Sequence, residues 1–85
     1  MKASRTRTQS VTTSWAALPD VRGEYVSILN GTGAALEVRH SGQTAAGESV
    51  TIADGQSLGL KVAANASEVQ IKAAGGAAGV QIVID

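Results

Sequence analysis

The sequence predicts an all-β domain, a small β-sandwich or barrel of about six to seven short antiparallel strands preceded by an N-terminal arm. Three observations carry this. Large aliphatic residues recur at spacing two, the period of a strand with one buried face. Turn-forming Gly, Asn and Asp interrupt the pattern roughly every ten residues, a spacing that suits sandwiches and barrels better than βαβ units. No segment sustains a helical apolar stripe across three turns, and at 85 residues the chain has room for one domain.

Residues 1–10, MKASRTRTQS, hold no large aliphatic after Met1 and are dense in Ser, Thr, Gln and basic groups. Such a segment cannot repay its own ordering entropy, which makes it a basic extended arm ahead of a β-domain spanning 11–85. From Val11 the pattern alternates, with Val11, Thr13, Trp15 and Ala17 on one face until Leu18-Pro19-Asp20 breaks it. In EYVSILN, Val26 and Ile28 alternate with Ser27, and Asn30-Gly31-Thr32-Gly33 turns the chain. In ALEVRH, Leu36 and Val38 oppose Glu37 and Arg39, and the polar loop SGQTAAGE follows. Val50 and Ile52 flank Thr51, and Asp54-Gly55 then signals a hairpin into Leu58, Leu60 and Val62. Val69 and Ile71 alternate with Gln70 and Lys72, the run AAGGAAG forms a loop, and Val80, Ile82 and Ile84 make the last strand. Its opposite face carries Val83 and no charge before Asp85, so this strand is expected to be paired on both sides or covered by a partner.

Composition narrows the function classes. Ala supplies 15 residues against 19 of Val, Ile and Leu together, Phe is absent, and Trp15 and Tyr25 are the aromatics. A chain this small, with a core this lean and no cysteine for a disulfide or thiolate metal site, is expected to gain support from oligomerisation or from docking on a larger body. No apolar run approaches the roughly 18–20 residues of a transmembrane helix, and no hydrophobic segment of the secretory kind follows the basic N-terminus. The chain therefore reads as soluble and unprocessed. Its formal net charge of zero divides unevenly: Lys2, Arg5 and Arg7 give the arm +3, whereas residues 11–85 hold four basic groups against seven acids, or −3.

The motifs give little chemistry. Gly55-Gln56-Ser57-Leu58-Gly59 matches the G-x-S-x-G of a nucleophile elbow, but an elbow needs a strand, a sharp turn and a helix, and Ser57 opens an alternating strand. His40 has no second histidine or cysteine to share a metal and reads as a partly exposed strand-end residue. The acids are scattered as solvated charge. Asn30-Gly31-Thr32 and Asn65-Ala66-Ser67 are formal glycosylation sequons that read better as turns. Three basic residues without interleaved aromatics, attached to an acidic body, are a weak footprint for nucleic acid, which leaves a plain disordered tail and an arm laid across a neighbouring protein, and the second of these is the expectation.

The stretch from Trp15 to Asp85, with W-A-A-L-P, Y-V-S-I-L-N-G-T-G, T-I-A-D-G-Q-S and A-N-A-S-E-V-Q-I-K, resembles the small all-β virion proteins of tailed bacteriophages, of the capsid decoration or cement type. The resemblance implies a structural protein of the virion present in many copies, bound to the major capsid protein or another virion protein, with no cofactor and no catalysis. Lys2, Arg5 and Arg7 in the arm, together with Trp15 and Val83, are the candidate partner-binding residues. Two other functions compete: a tail or head-to-tail connector component, and a carbohydrate-binding adsorption module, which would need exposed aromatics to stack on sugar rings.

Overall fold

The computed structural model describes residues 5–43, 47–73 and 79–85. Among the described residues eight strands follow one another: β1 (Arg5–Ser10), β2 (Ala16–Ala17), β3 (Tyr25–Asn30), β4 (Leu36–His40), β5 (Val50–Ile52), β6 (Ser57–Lys61), β7 (Val69–Ala73) and β8 (Gly79–Ile84). A 3₁₀ turn at Ala66–Glu68 precedes β7. The strands form two antiparallel four-stranded sheets, ordered β1-β8-β3-β6 and β2-β7-β4-β5. The sheets are not closed into a barrel. The fold is a small sandwich, one of the two architectures expected from the alternation.

The two strand orders correspond position by position: β1 with β2, β8 with β7, β3 with β4, β6 with β5. Every sequential connection except β4–β5 therefore takes the chain from one sheet to the other. This corrects the hairpin expected at Asp54-Gly55. The turn is present, with Gly55 at φ 83° and the Gln56 N–H donating to the Ala53 carbonyl at 3.0 Å. But β5 pairs with β4 and β6 pairs with β3, so the turn is an arch between layers. Turn chemistry fixes where a chain reverses and leaves open which sheet receives it.

The core is aliphatic. Val26 and Ile28 of β3, Val80, Ile82 and Ile84 of β8, Leu36 and Val38 of β4, and Val69, Ile71 and Ala73 of β7 are almost fully excluded from solvent, joined by Val11, Leu18, Ile52, Val62 and Ala66. Each strand contributes alternate residues, as the period-two reading requires. Among the described residues only Ala66 and Ala73 of the many alanines reach the core, which is thus built mainly from Val, Ile and Leu. Both aromatics lie outside it.

Two segments near the N-terminus depart from expectation. Residues 5–10, assigned by composition to an arm, are extended but lie on the chain's own sheet: β1 runs antiparallel to β8 from Arg5↔Ile84 to Ser10↔Gly79. The backbone ladder supplies what the side chains do not, because β8 offers a full edge of donors and acceptors. The strand expected over Val11–Ala17 shrinks to Ala16–Ala17. Val11 is buried, the Thr12 carbonyl accepts from the Ala73 N–H at 2.8 Å, and the Ser14 N–H bonds Thr12 Oγ1 at 3.2 Å. Such local side-chain bonding bends the chain as it crosses between sheets, which takes Trp15 off the Val11 face. The loops expected at SGQTAAGE and AAGGAAG fall partly outside the described residues, at 44–46 and 74–78.

Candidate interaction surface

The outer face of the β1-β8-β3-β6 sheet follows from register. Thr6, Val83, Ser27 and Gly59 form one cross-strand row, and Thr8, Gln81, Leu29 and Ser57 form the next. Tyr25 pairs with Lys61 beyond them. The side chains of each row share a face, since directly opposed residues in antiparallel strands point the same way. Lys61 is the only charged residue among the strand positions of this face. Tyr25 is 42% exposed and Leu29 39%, while Val83 is half-buried between Thr6 and Ser27. A side chain at Gly59 would run into the hydroxyl end of the Tyr25 ring, which lies over this glycine. The result is a low surface of small hydroxyls, one amide and three apolar groups, uncharged but for Lys61 at its end.

The opposite side of the sandwich is charged. Glu37 and Arg39 on β4 and Gln70 and Lys72 on β7 alternate with buried neighbours and so point away from the core. Trp15 lies over them, its ring centroid 4.0 Å from the Arg39 guanidinium carbon and 5.0 Å from Lys72 Nζ. Lys72 Nζ also meets Glu37 Oε2 at 3.4 Å, Arg39 Nε donates to Gln70 Oε1 at 2.8 Å, and Ser49 Oγ donates to Glu37 Oε1 at 3.3 Å. Each cation–π contact at such a partly exposed site contributes about 0.5–1 kcal/mol, and the ion pair less than about 1 kcal/mol. Trp15 is a cover for the outside of this sheet, held by cations that occupy its ring.

The predicted binding residues thus do not converge. Val83 is on the uncharged face and Trp15 on the charged one. Arg5 and Arg7 pair with Ile84 and Ile82 and so point from the edge strand toward the inner side of the sheet. There Arg5 Nη2 donates to the Arg22 carbonyl, and Arg7 Nη1 donates to the Thr6 carbonyl at 3.0 Å. Lys2 lies outside the described residues. Sequence reasoning missed Tyr25 and Leu29 as companions of Val83, and Arg39 and Lys72 as partners of Trp15. Alternation alone puts each of these on an outer face; which of them adjoin depends on strand register, which the alternation does not carry.

A cleft of about 250 Å³ is lined by Arg5, Arg22, Gly23, Glu24, Ala63 and Ala64. Among the described residues its titratable lining groups are Arg5, Arg22 and Glu24, with no hydroxyl, thiol or imidazole beside the Glu24 carboxylate. Ser57 is exposed at the start of β6, in strand context and without a following helix. His40 ends β4, half-buried. Among the described residues no three His, Cys, Asp or Glu side chains gather to hold a metal, and no helix is long and apolar enough to cross a membrane. Both sequons are structural. Asn30 is fully buried, and Asn65 caps the 3₁₀ turn by accepting from the Ser67 N–H at 2.9 Å while its Nδ2 donates to Asp20 at 2.7 Å. Comparison with protein-family models, curated proteins and solved structures finds no match to this chain.

Proposed function

We propose that this chain is a non-catalytic structural component of a bacteriophage particle, a decoration protein that seats across joints between major capsid subunits and holds them together. The observation that carries the reading is the outer face of the β1-β8-β3-β6 sheet, where Tyr25, Leu29 and Val83 stand among Thr, Ser, Gln and Gly with a single strand-borne charge at Lys61. A face of this kind suits protein contact because little charge must be desolvated there and the aromatic is already ordered. The likeness of the sequence to small virion proteins supplies the setting. In that setting modest contacts multiply over many equivalent sites, so a small footprint per copy suffices.

A place in the tail or the head-to-tail connector would use the same face on a different partner. A carbohydrate-binding role fits less well, because Trp15 is engaged by Arg39 and Lys72, which leaves Tyr25 as the single exposed aromatic. The test is to band particles released from cells that produce this chain on a density gradient and to quantify it against the major capsid protein by mass spectrometry. Decoration predicts a copy number comparable to that of the capsid subunits, and a tail or connector role predicts a few copies per particle. Absence of the chain from the banded particles overturns the reading.

A further inference from the structure

We propose that β1 is an exchangeable strand, and that its docking edge on β8 accepts the β1 segment of a second copy of this chain. This does not depend on the particle setting. Five of the six β1 residues are exposed and none is fully buried, so the strand is held by its ladder to β8 and by a few side-chain bonds. Two of those reach across to other elements: Gln9 Nε2 donates to the Ala17 carbonyl at 3.0 Å, and Arg5 Nη2 donates to the Arg22 carbonyl. All these acceptors belong to the body of the sandwich, and an identical segment from another copy meets them equally well.

The chain also has a natural pivot. Val11, directly after β1, is completely buried, and the Thr12 carbonyl is bonded to β7 through Ala73. The body is therefore anchored from Val11 onward, and β1 can swing about Ser10–Val11 without withdrawing a core side chain. The site it leaves must be refilled. The edge of β8 carries the uncharged run Val80 to Ile84, and an open edge of that kind recruits another strand. Charge favours a second copy as the source: residues 1–10 carry +3 and residues 11–85 carry −3, while the whole chain is neutral. The arm of one copy is attracted to the body of the next, and whole copies are not held apart by net charge.

Reciprocal exchange places Ser10–Val11 of both copies at the dimer axis, next to Gly79, where β1 ends on β8. It forms the same ladder it breaks, so its population rises with concentration and becomes substantial at an effective concentration of about 1 mM, such as crowding on an assembly provides. The absence of cysteine makes the test clean. Thr8 and Gln81 are register partners, both exposed, at a separation across the ladder that a disulfide can span. The double variant Thr8→Cys with Gln81→Cys, oxidised when dilute, should close within one chain, which verifies fold and register. Single variants Thr8→Cys and Gln81→Cys, mixed at about 1 mM and oxidised, should form an 8–81 linked dimer at least about tenfold faster than Thr8→Cys mixed with Thr51→Cys, which lies on β5 of the other sheet. Intrachain closure of the double variant with no excess of the mixed dimer over the control overturns the proposal. So does failure of the double variant to close.

Discussion

Asn30 ties the layers together. Its Nδ2 donates to the Ala34 carbonyl at 2.8 Å and to the Ile52 carbonyl of β5 at 3.1 Å, and its Oδ1 accepts from the Thr32 N–H at 3.0 Å and from Thr32 Oγ1 at 2.7 Å. An asparagine at the end of β3 in one sheet thus bonds a strand of the other, with its polar capacity satisfied in a dry site. Asn30→Ala removes the side-chain partner of the Ile52 carbonyl and of the Thr32 N–H, while the Ala34 carbonyl keeps its bond from Thr32 Oγ1 at 2.9 Å; the expected loss is about 2–4 kcal/mol, read as a lower urea midpoint at unchanged slope. Glu68 has a comparable role at the surface. Its carboxylate accepts from the backbone N–H groups of Ala63 and Ala64, both at 2.8 Å, and of Asn65 at 2.9 Å. The Ala63 and Ala64 bonds hold its pKa below the ordinary carboxylate range, burial opposes them, and the Asn65 bond and the charge of His40 lower it further. A carboxyl depressed in the folded state stabilises fully above its unfolded pKa, and that contribution is lost as pH falls through the folded value. Wild-type stability should therefore decline through and below about pH 4. Glu68→Gln should be less stable than wild type at pH 7 and should lose less on acidification; equal losses in urea titrations across this range would remove Glu68 from the account.

Among the elements, β8 and β1 depend on each other most. The sequence of β8 makes its position legible: an uncharged strand with Val83 opposite its core face needs neighbours on both sides, and β3 and β1 provide them. The sequence of β1 does not. RTRTQS has no apolar residue, and its membership in the sheet rests on backbone bonds that no periodicity records. Arg5, Arg7 and Gln9 point to the inner side at the sheet's edge, where inward-facing polar groups discourage further strand addition. Deleting residues 1–10 thus uncovers β8 without removing a core side chain. The truncated chain should keep its β circular dichroism yet aggregate, seen as rising light scattering over hours, and Gln81→Lys in the truncated chain should slow this by guarding the bared strand. A truncated chain that stays monomeric as long as wild type would mean that β1 is a dispensable tail. The arches were hidden for a related reason. Asn30-Gly31-Thr32-Gly33 and Asp54-Gly55 specify reversals, and the choice between hairpin and arch is made by long-range pairing that turn residues do not encode.

The whole molecule presents two unlike faces on one aliphatic core. Trp15, Arg39, Lys72 and Glu37 satisfy one another on the charged face, while Tyr25, Leu29 and Val83 on the uncharged face lie open beside hydroxyls. Under the proposed function, that asymmetry makes the β1-β8-β3-β6 sheet the side that meets the partner. The alternation of Leu29 with Ile28 and Asn30 marks it as outward in the sequence; only the register places it beside Gln81 and Ser57. The most direct measurement of the proposed attachment is co-sedimentation of purified chain with phage particles that lack it, comparing wild type, Leu29→Lys and Thr51→Lys, all first checked for native circular dichroism. Leu29 and Thr51 are both exposed, so a lysine is accommodated in the free protein at either position. Burying an unpaired charge in the contact should weaken Leu29→Lys by about tenfold or more, while Thr51→Lys on the other sheet binds as wild type. Equal binding of Leu29→Lys and wild type, or loss confined to Thr51→Lys, would contradict the assignment of the uncharged face as the surface of attachment.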